Sequence, residues 1–136
     1  MAIAEGVTEA NRAIVRSFYE GGGRHDLAGF ASQLSDRFEV FVPDYLPWGG
    51  RSDKTRYITW VIPQVARSLD FGRLKFDSLT AEQNHVVAFI EIGVKGTDDS
   101  ILISEHWDLF DSKAVKLRVA YYEPGILLKK LGLPAL

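Results

Sequence analysis

The chain has 136 residues, 46% apolar and 25% charged, with a formal net charge of −2. That balance suits one folded domain over residues 1–136 and excludes a disordered chain. The 16 Lys and Arg are scattered, which argues against a nucleic-acid partner, and the absence of cysteine excludes disulfides, thiol nucleophiles and thiolate metal sites.

The start, Met1-Ala2-Ile3-Ala4-Glu5, lacks the basic and apolar segments of a secretory signal. No apolar run reaches the roughly 18 residues of a membrane span, so a cytoplasmic address without membrane attachment is expected. Val7 to Glu20 predicts a helix with Thr8 as N-cap, Ala10, Ile14 and Phe18 on one stripe, and Gly21-Gly22-Gly23 as its stop. Asp26 caps a second, short helix carrying Leu27, Phe30 and Leu34 on one face. Phe38 to Val42 reads as a strand, and Pro43 to Lys54 as a long loop containing Pro47-Trp48-Gly49-Gly50.

Thr55 to Leu69 predicts a third helix, with Tyr57, Val61 and Val65 on one face and a kink at Pro63. From Arg73 the apolar period becomes two. It predicts strands at Arg73–Leu79, His85–Lys95, Ser100–Phe110 and Val115–Tyr122, before a short closing helix between Pro124 and Leu133. Helices followed by consecutive strands imply an α+β fold: three N-terminal helices packed on a curved antiparallel sheet.

The last two strands carry the most chemistry. A four-residue turn, Asp111 to Ala114, would place Glu105 opposite Ala120, Trp107 opposite Arg118 and Ile103 opposite Tyr122, all on one face. Val115, Leu117, Val119 and Tyr121 would then form an apolar outer face. On this register Glu105 lies among Ile103, Trp107 and Leu109. Such surroundings favour the neutral, proton-donating form of a carboxyl group, whereas Arg118 beside it would hold it ionised. Glu105 is thus an acid/base candidate or half of a structural pair. Tyr122 is a donor to a substrate carbonyl or a packing residue, and Arg118 is an oxygen-binding group or the partner of Glu105. Trp107 and Trp48 read as pocket wall and pocket mouth, or as core.

His25, His85 and His106 show no metal-ligand spacing: the first two should be solvated and His106 should face outward, so no metal is expected. Asp44 reads as a turn residue. Gly21-Gly22-Gly23 follows a helix and lacks the Lys-Ser/Thr of a phosphate loop.

The run from Glu105 to Glu123 resembles the last hairpin of SnoaL-like proteins in the NTF2-like superfamily, and Leu46-Pro-Trp-Gly-Gly50 resembles their Pro-aromatic-Gly-Gly loop. With the order of elements, the resemblance covers nearly the whole chain. It implies a cone-shaped fold enclosing a pocket, and a superfamily that hosts polyketide cyclases, ketosteroid isomerases, epoxide hydrolases, dehydratases and non-catalytic binders.

By resemblance, Glu105 takes the place of the oxyanion-hole acid of ketosteroid isomerases, a carboxyl group that an apolar site keeps protonated. Val42 stands where those enzymes keep a general base, Phe18 where they keep a helix-1 Tyr, with Tyr19 one residue away. Ala120 stands where SnoaL-type cyclases keep their Asp. Epoxide hydrolases need two acids around an Arg, for which Glu91, Arg118 and Glu123 supply the types but not a common face.

The resemblance therefore implies a cofactor-independent enzyme on a small, apolar, oxygenated substrate such as a polyketide or terpenoid intermediate. Glu105, Tyr122 and Arg118 would be its catalytic residues, and Trp107, Phe18, Tyr19, Val42, Trp48, Ile103 and Ala120 its pocket. The alternative is a non-catalytic ligand-binding or dimerisation module on the same fold. The apolar outer face, the surface through which this superfamily commonly pairs, implies a homodimer.

Overall fold

The computed structural model describes residues 2–20 and 26–136, with side chains from residue 6 onward. The expected stop at Gly21-Gly22-Gly23 and the expected solvation of His25 lie outside the described residues. The elements run α1 (Ala2–Ser17), α2 (Leu27–Ser32), β1 (Leu34–Val42), β2 (Gly50–Asp53), α3 (Lys54–Arg56), a π-helical turn (Tyr57–Val61), α4 (Ile62–Ser68), β3 (Leu69–Glu82), β4 (His85–Val94), β5 (Ser100–Phe110), β6 (Lys113–Tyr122) and α5 (Gly125–Lys130). It is an α+β fold. One curved, open sheet has the order β2-β1-β6-β5-β4-β3, and the helices pack on one of its faces.

Every neighbouring pair in the sheet is antiparallel except β1 and β6, which run parallel. That pairing joins the first strand to the last, so β1 lies beside β6 and not at the far edge. β2, expected as loop, pairs with β1 over only four residues. Its sequence Gly-Arg-Ser-Asp holds no apolar alternation, which is why periodicity does not reveal it.

The buried residues alternate along β4 (Val86, Ala88, Ile90, Ile92) and β5 (Ile101, Ile103, Glu105, Trp107, Leu109), so these positions face the helices and the intervening ones face outward. Phe18 from the end of α1, Phe30 from α2 and Phe38 from β1 surround Trp107, with ring centroids 4.9, 6.5 and 6.2 Å from it. This aromatic cluster fills the core at the α1 and α2 end.

Helix α1 begins before Val7, so Thr8 is not its cap. Its hydroxyl instead accepts the Gln83 N–H at 2.9 Å. One turn on, the buried Asn11 amide donates to Gln83 O at 2.9 Å and to Asn84 Oδ1 at 3.1 Å. These bonds anchor α1 to the β3–β4 turn. The Asp26 side chain caps α2 by accepting from Gly29 N.

Asp53 likewise starts α3 by accepting from Arg56 N. The helical path continues from α3 through the π turn to α4, where the Ile62 N–H reaches back to Tyr57 O. Pro63, which supplies no N–H, follows directly. The expected kink is thus a π turn, which widens one turn and places Tyr57, Val61 and Ile62 on the sheet side.

Candidate functional site

The β5–β6 hairpin decides which side chains reach the concave face. Its turn is the two-residue Asp111-Ser112, both with positive φ (52° and 64°), so Phe110 pairs with Lys113 and Leu109 with Ala114. The ladder then slips: Asp108 pairs with Lys116, leaving Val115 as the extra residue of a β-bulge. Beyond the bulge Glu105 lies opposite Val119, Trp107 opposite Leu117 and Ile103 opposite Tyr121.

This corrects the expected register. Arg118, Ala120 and Tyr122 sit on the outer face, Arg118 opposite His106 and Tyr122 60% exposed. They cannot reach the concave side, so the expected catalytic roles of Tyr122 and Arg118 and the pocket role of Ala120 fail on geometry. Leu117, Val119 and Tyr121, expected outside, face inward. The bulge at Val115 makes the difference, because one extra residue exchanges the faces of everything after it, whatever the length of the turn.

Between the π turn with α4 and the concave sheet lies a cavity of about 470 Å³ of empty space, mouth included. The space is slender, wide enough for water-sized groups over only a small part of that volume. The helical side contributes Tyr57, Val61, Ile62 and Val65, and the sheet side Phe71, Ile90, Ile92, Ile103, Val119 and Tyr121. Val42 closes one side at the end of β1. Few of the lining residues carry polar side-chain atoms: Glu105, Tyr57, Tyr121 and Trp48.

Glu105 is 7% exposed. The Tyr19 hydroxyl donates to its Oε1 at 2.5 Å, and the indole Nε1–H of Trp107 donates to the Tyr19 oxygen at 2.8 Å. Tyr19 lies just beyond the end of α1, where a Phe18 N–H to Val15 O bond closes the last turn and lets the ring reach the sheet. Its ring meets Phe76 at 5.3 Å. The relay from Trp107 through Tyr19 fixes the carboxyl group in one orientation. Trp107 and Phe18, expected as cavity wall, are instead core residues behind that relay, and Phe18 is packed against Phe30 at 5.0 Å.

Trp48 is carried inward by a tight loop. Leu46 N–H bonds Pro43 O at 3.2 Å and Gly49 N–H bonds Leu46 O at 2.9 Å, and a Cβ on Gly49 would overlap the Pro43 carbonyl oxygen. Only glycine allows the chain to fold back so closely there. Trp48 ends 1% exposed on the cavity wall, not at its mouth, and its Nε1–H has no hydrogen-bond acceptor among the described residues. Asp44, on the same loop, is exposed and outside the lining.

The outer face holds a second polar cluster. His85 Nδ1 is 2.7 Å from Asp108 Oδ1, and His106 Nε2 is 2.8 Å from Ser104 Oγ. Partial burial, then the positive charges of His85 and Arg118, push the His106 imidazole below its ordinary range, with Asp108 opposing them. Glu91 faces outward here too, paired with Lys75 at 3.2 Å, so Glu91, Arg118 and Glu123 do not gather around the cavity. Among the described residues no three His, Asp or Glu side chains gather to hold a metal ion, and no helix is long and apolar enough to cross a membrane.

Periodicity alone could have found Tyr57, Val61 and Val65, which share the predicted helix face. Val119 and Tyr121 required knowledge of the bulge.

Neither a protein-family profile nor the sequence of a curated protein matches the chain. Solved structures do. A candidate ketosteroid isomerase from Kribbella flavida superposes with a TM-score of 0.69 at 15% identity, covering 85% of this chain and 80% of that one. An NTF2-like protein from Burkholderia thailandensis gives 0.69 at 19% identity, over 91% and 98%. TerC, crystallised with polyporic acid, gives 0.69 at 20% identity, over 86% and 95%. With a curved six-stranded sheet, helices on its concave face and a cavity between them, the chain has the NTF2-like fold.

Proposed function

We propose that the chain is a cofactor-independent acid/base enzyme of the SnoaL-like type that moves a proton on a small, mainly apolar, oxygenated substrate held in the cavity. The observation that carries this reading is Glu105: one carboxyl group, buried on an apolar wall and held in place by the Tyr19 hydroxyl. A single oriented carboxylate suits a reaction in which one base removes a proton and the same group returns it elsewhere. Glu105 would take a proton from the carbon next to a carbonyl; the C–H pair would become the enolate double bond as the carbonyl π pair moves to oxygen. The conjugated enolate would regain that proton at another carbon, or its carbon would attack a second carbonyl of the same molecule, whose oxygen takes the proton back from Glu105.

That choice separates the three reaction types. Epoxide opening by paired acids around an arginine has no support, because Arg118 and Glu91 face away from the cavity. Isomerisation or cyclisation through an enol remains. The fold neighbours, among them a candidate ketosteroid isomerase and a protein crystallised with polyporic acid, are compatible with such substrates.

The test is exchange of the α-hydrogens of 1-tetralone in D2O, followed by NMR. The chain should accelerate it, and Glu105→Gln should remove at least about a hundredfold of that acceleration. Equal exchange by both proteins would contradict the assignment.

A second reading has its own observation. The slender cavity and the engagement of Glu105 by Tyr19 also suit a module that binds a small ligand without turning it over. Retained 1-tetralone binding without exchange would favour it.

A further inference from the structure

The three tryptophans differ in one respect that bears on the ligand. Trp107 donates its indole N–H to Tyr19, and Trp60, partly exposed, lies against the Arg56 guanidinium at 4.1 Å from the ring centroid. Trp48 is nearly as buried as Trp107 and lines the cavity, yet its Nε1–H meets no acceptor among the described residues. A buried donor left without an acceptor is unfavourable, and native structures seldom keep one without a use.

The loop that carries Trp48 is built for this placement. Its two backbone hydrogen bonds and the close approach at Gly49 fix the backbone from which the Trp48 ring reaches the cavity wall. We infer that Trp48 Nε1–H is the donor by which the cavity recognises its ligand, receiving a carbonyl oxygen on a flat, mainly apolar compound.

The lining narrows the class. Among the described residues it holds no Lys or Arg, and its one ionisable carboxyl belongs to Glu105, so an anionic head group would meet no positive charge. A neutral carbonyl accepts from the indole without bringing a donor of its own. Trp48, Tyr57, Phe71 and Tyr121 give the slender space flat walls, which suit a ring better than a branched chain. Trp48 is thereby a specificity-determining residue, separate from Glu105, which would act on the carbon skeleton.

This rests on the cavity being the ligand site, as proposed above, and the test separates the two. The affinities of 1-tetralone and of tetralin, its hydrocarbon counterpart, are measured by tryptophan fluorescence or calorimetry for the wild-type chain and for Trp48→Phe. The substitution should weaken 1-tetralone about tenfold and leave tetralin within about twofold. Equal changes for both compounds, or none, would overturn the role of Trp48 while leaving the cavity as a ligand site. If neither compound binds the wild-type chain, both readings fail.

A second measurement does not depend on the variant folding. In the wild-type chain the Trp48 indole proton resonance should move downfield with 1-tetralone and not with tetralin. An unmoved resonance with 1-tetralone bound would contradict the inference.

Discussion

Two other side chains orient the Glu105 carboxyl. Its Oε1 accepts from Tyr19, whose oxygen accepts from Trp107, so Tyr19 is both the acceptor for a buried indole N–H and the support of the carboxyl group. Tyr19→Phe removes both bonds and keeps the ring against Phe76. It should destabilise the chain by about 1–3 kcal/mol in chemical denaturation. It should also slow exchange of 1-tetralone without a matching loss of affinity, because the carboxyl is then less well oriented. An unchanged denaturation midpoint would mean that the relay contributes nothing to the fold. Sequence reasoning places Tyr19 near the site only through resemblance, since nothing local shows that α1 ends at Ser17 and that the next turn swings Tyr19 to the sheet.

At the scale of elements, the β5–β6 hairpin governs which residues share the site. Its strands are evident from their alternation, and Glu105 belongs to the inward set of β5 whatever the register. The partner strand is different, because β6 contains the bulge at Val115. The residues there, Ala114-Val115-Lys116, carry no glycine or proline to mark it. Without the bulge, the two-residue turn would place Arg118 opposite Glu105 and drive Leu117, Val119 and Tyr121 into solvent. Deletion of Val115 should therefore abolish cooperative unfolding and the near-ultraviolet circular dichroism of the packed aromatic residues. A deletion variant with native spectra and a sharp transition would show that the bulge does not set the faces.

The loop from Pro43 to Gly49 was legible as a turn from its Pro and Gly residues, but not as the device that brings Trp48 inside. The parallel pairing of β1 with β6 was also hidden, because no local pattern records which distant strand becomes a neighbour.

On the whole molecule, the helices cover the concave face and leave the outer face of the sheet open. The expected apolar set there was wrong, since Leu117, Val119 and Tyr121 point inward. The observed outer set is Phe41, Val87, Phe89, Leu102, Ala120 and Tyr122, edged by the Lys75–Glu91 and Arg51–Glu39 pairs. Tyr122 and Phe41 are large and exposed, and we propose that two copies of the chain pair through this face. Sedimentation at tens of micromolar should show a dimer that Phe89→Asp disperses, and a wild-type monomer would count against it.

We propose that the slender cavity beside Glu105 is where the chain takes up its ligand. The most direct measurement is NMR of methyl-labelled protein during titration with tetralin. Saturable shifts should appear, confined to the cavity methyls of Val61, Ile90, Ile103 and Val119. Shifts that appear instead at Val87 and Leu102 on the outer face, or none at all, would contradict it.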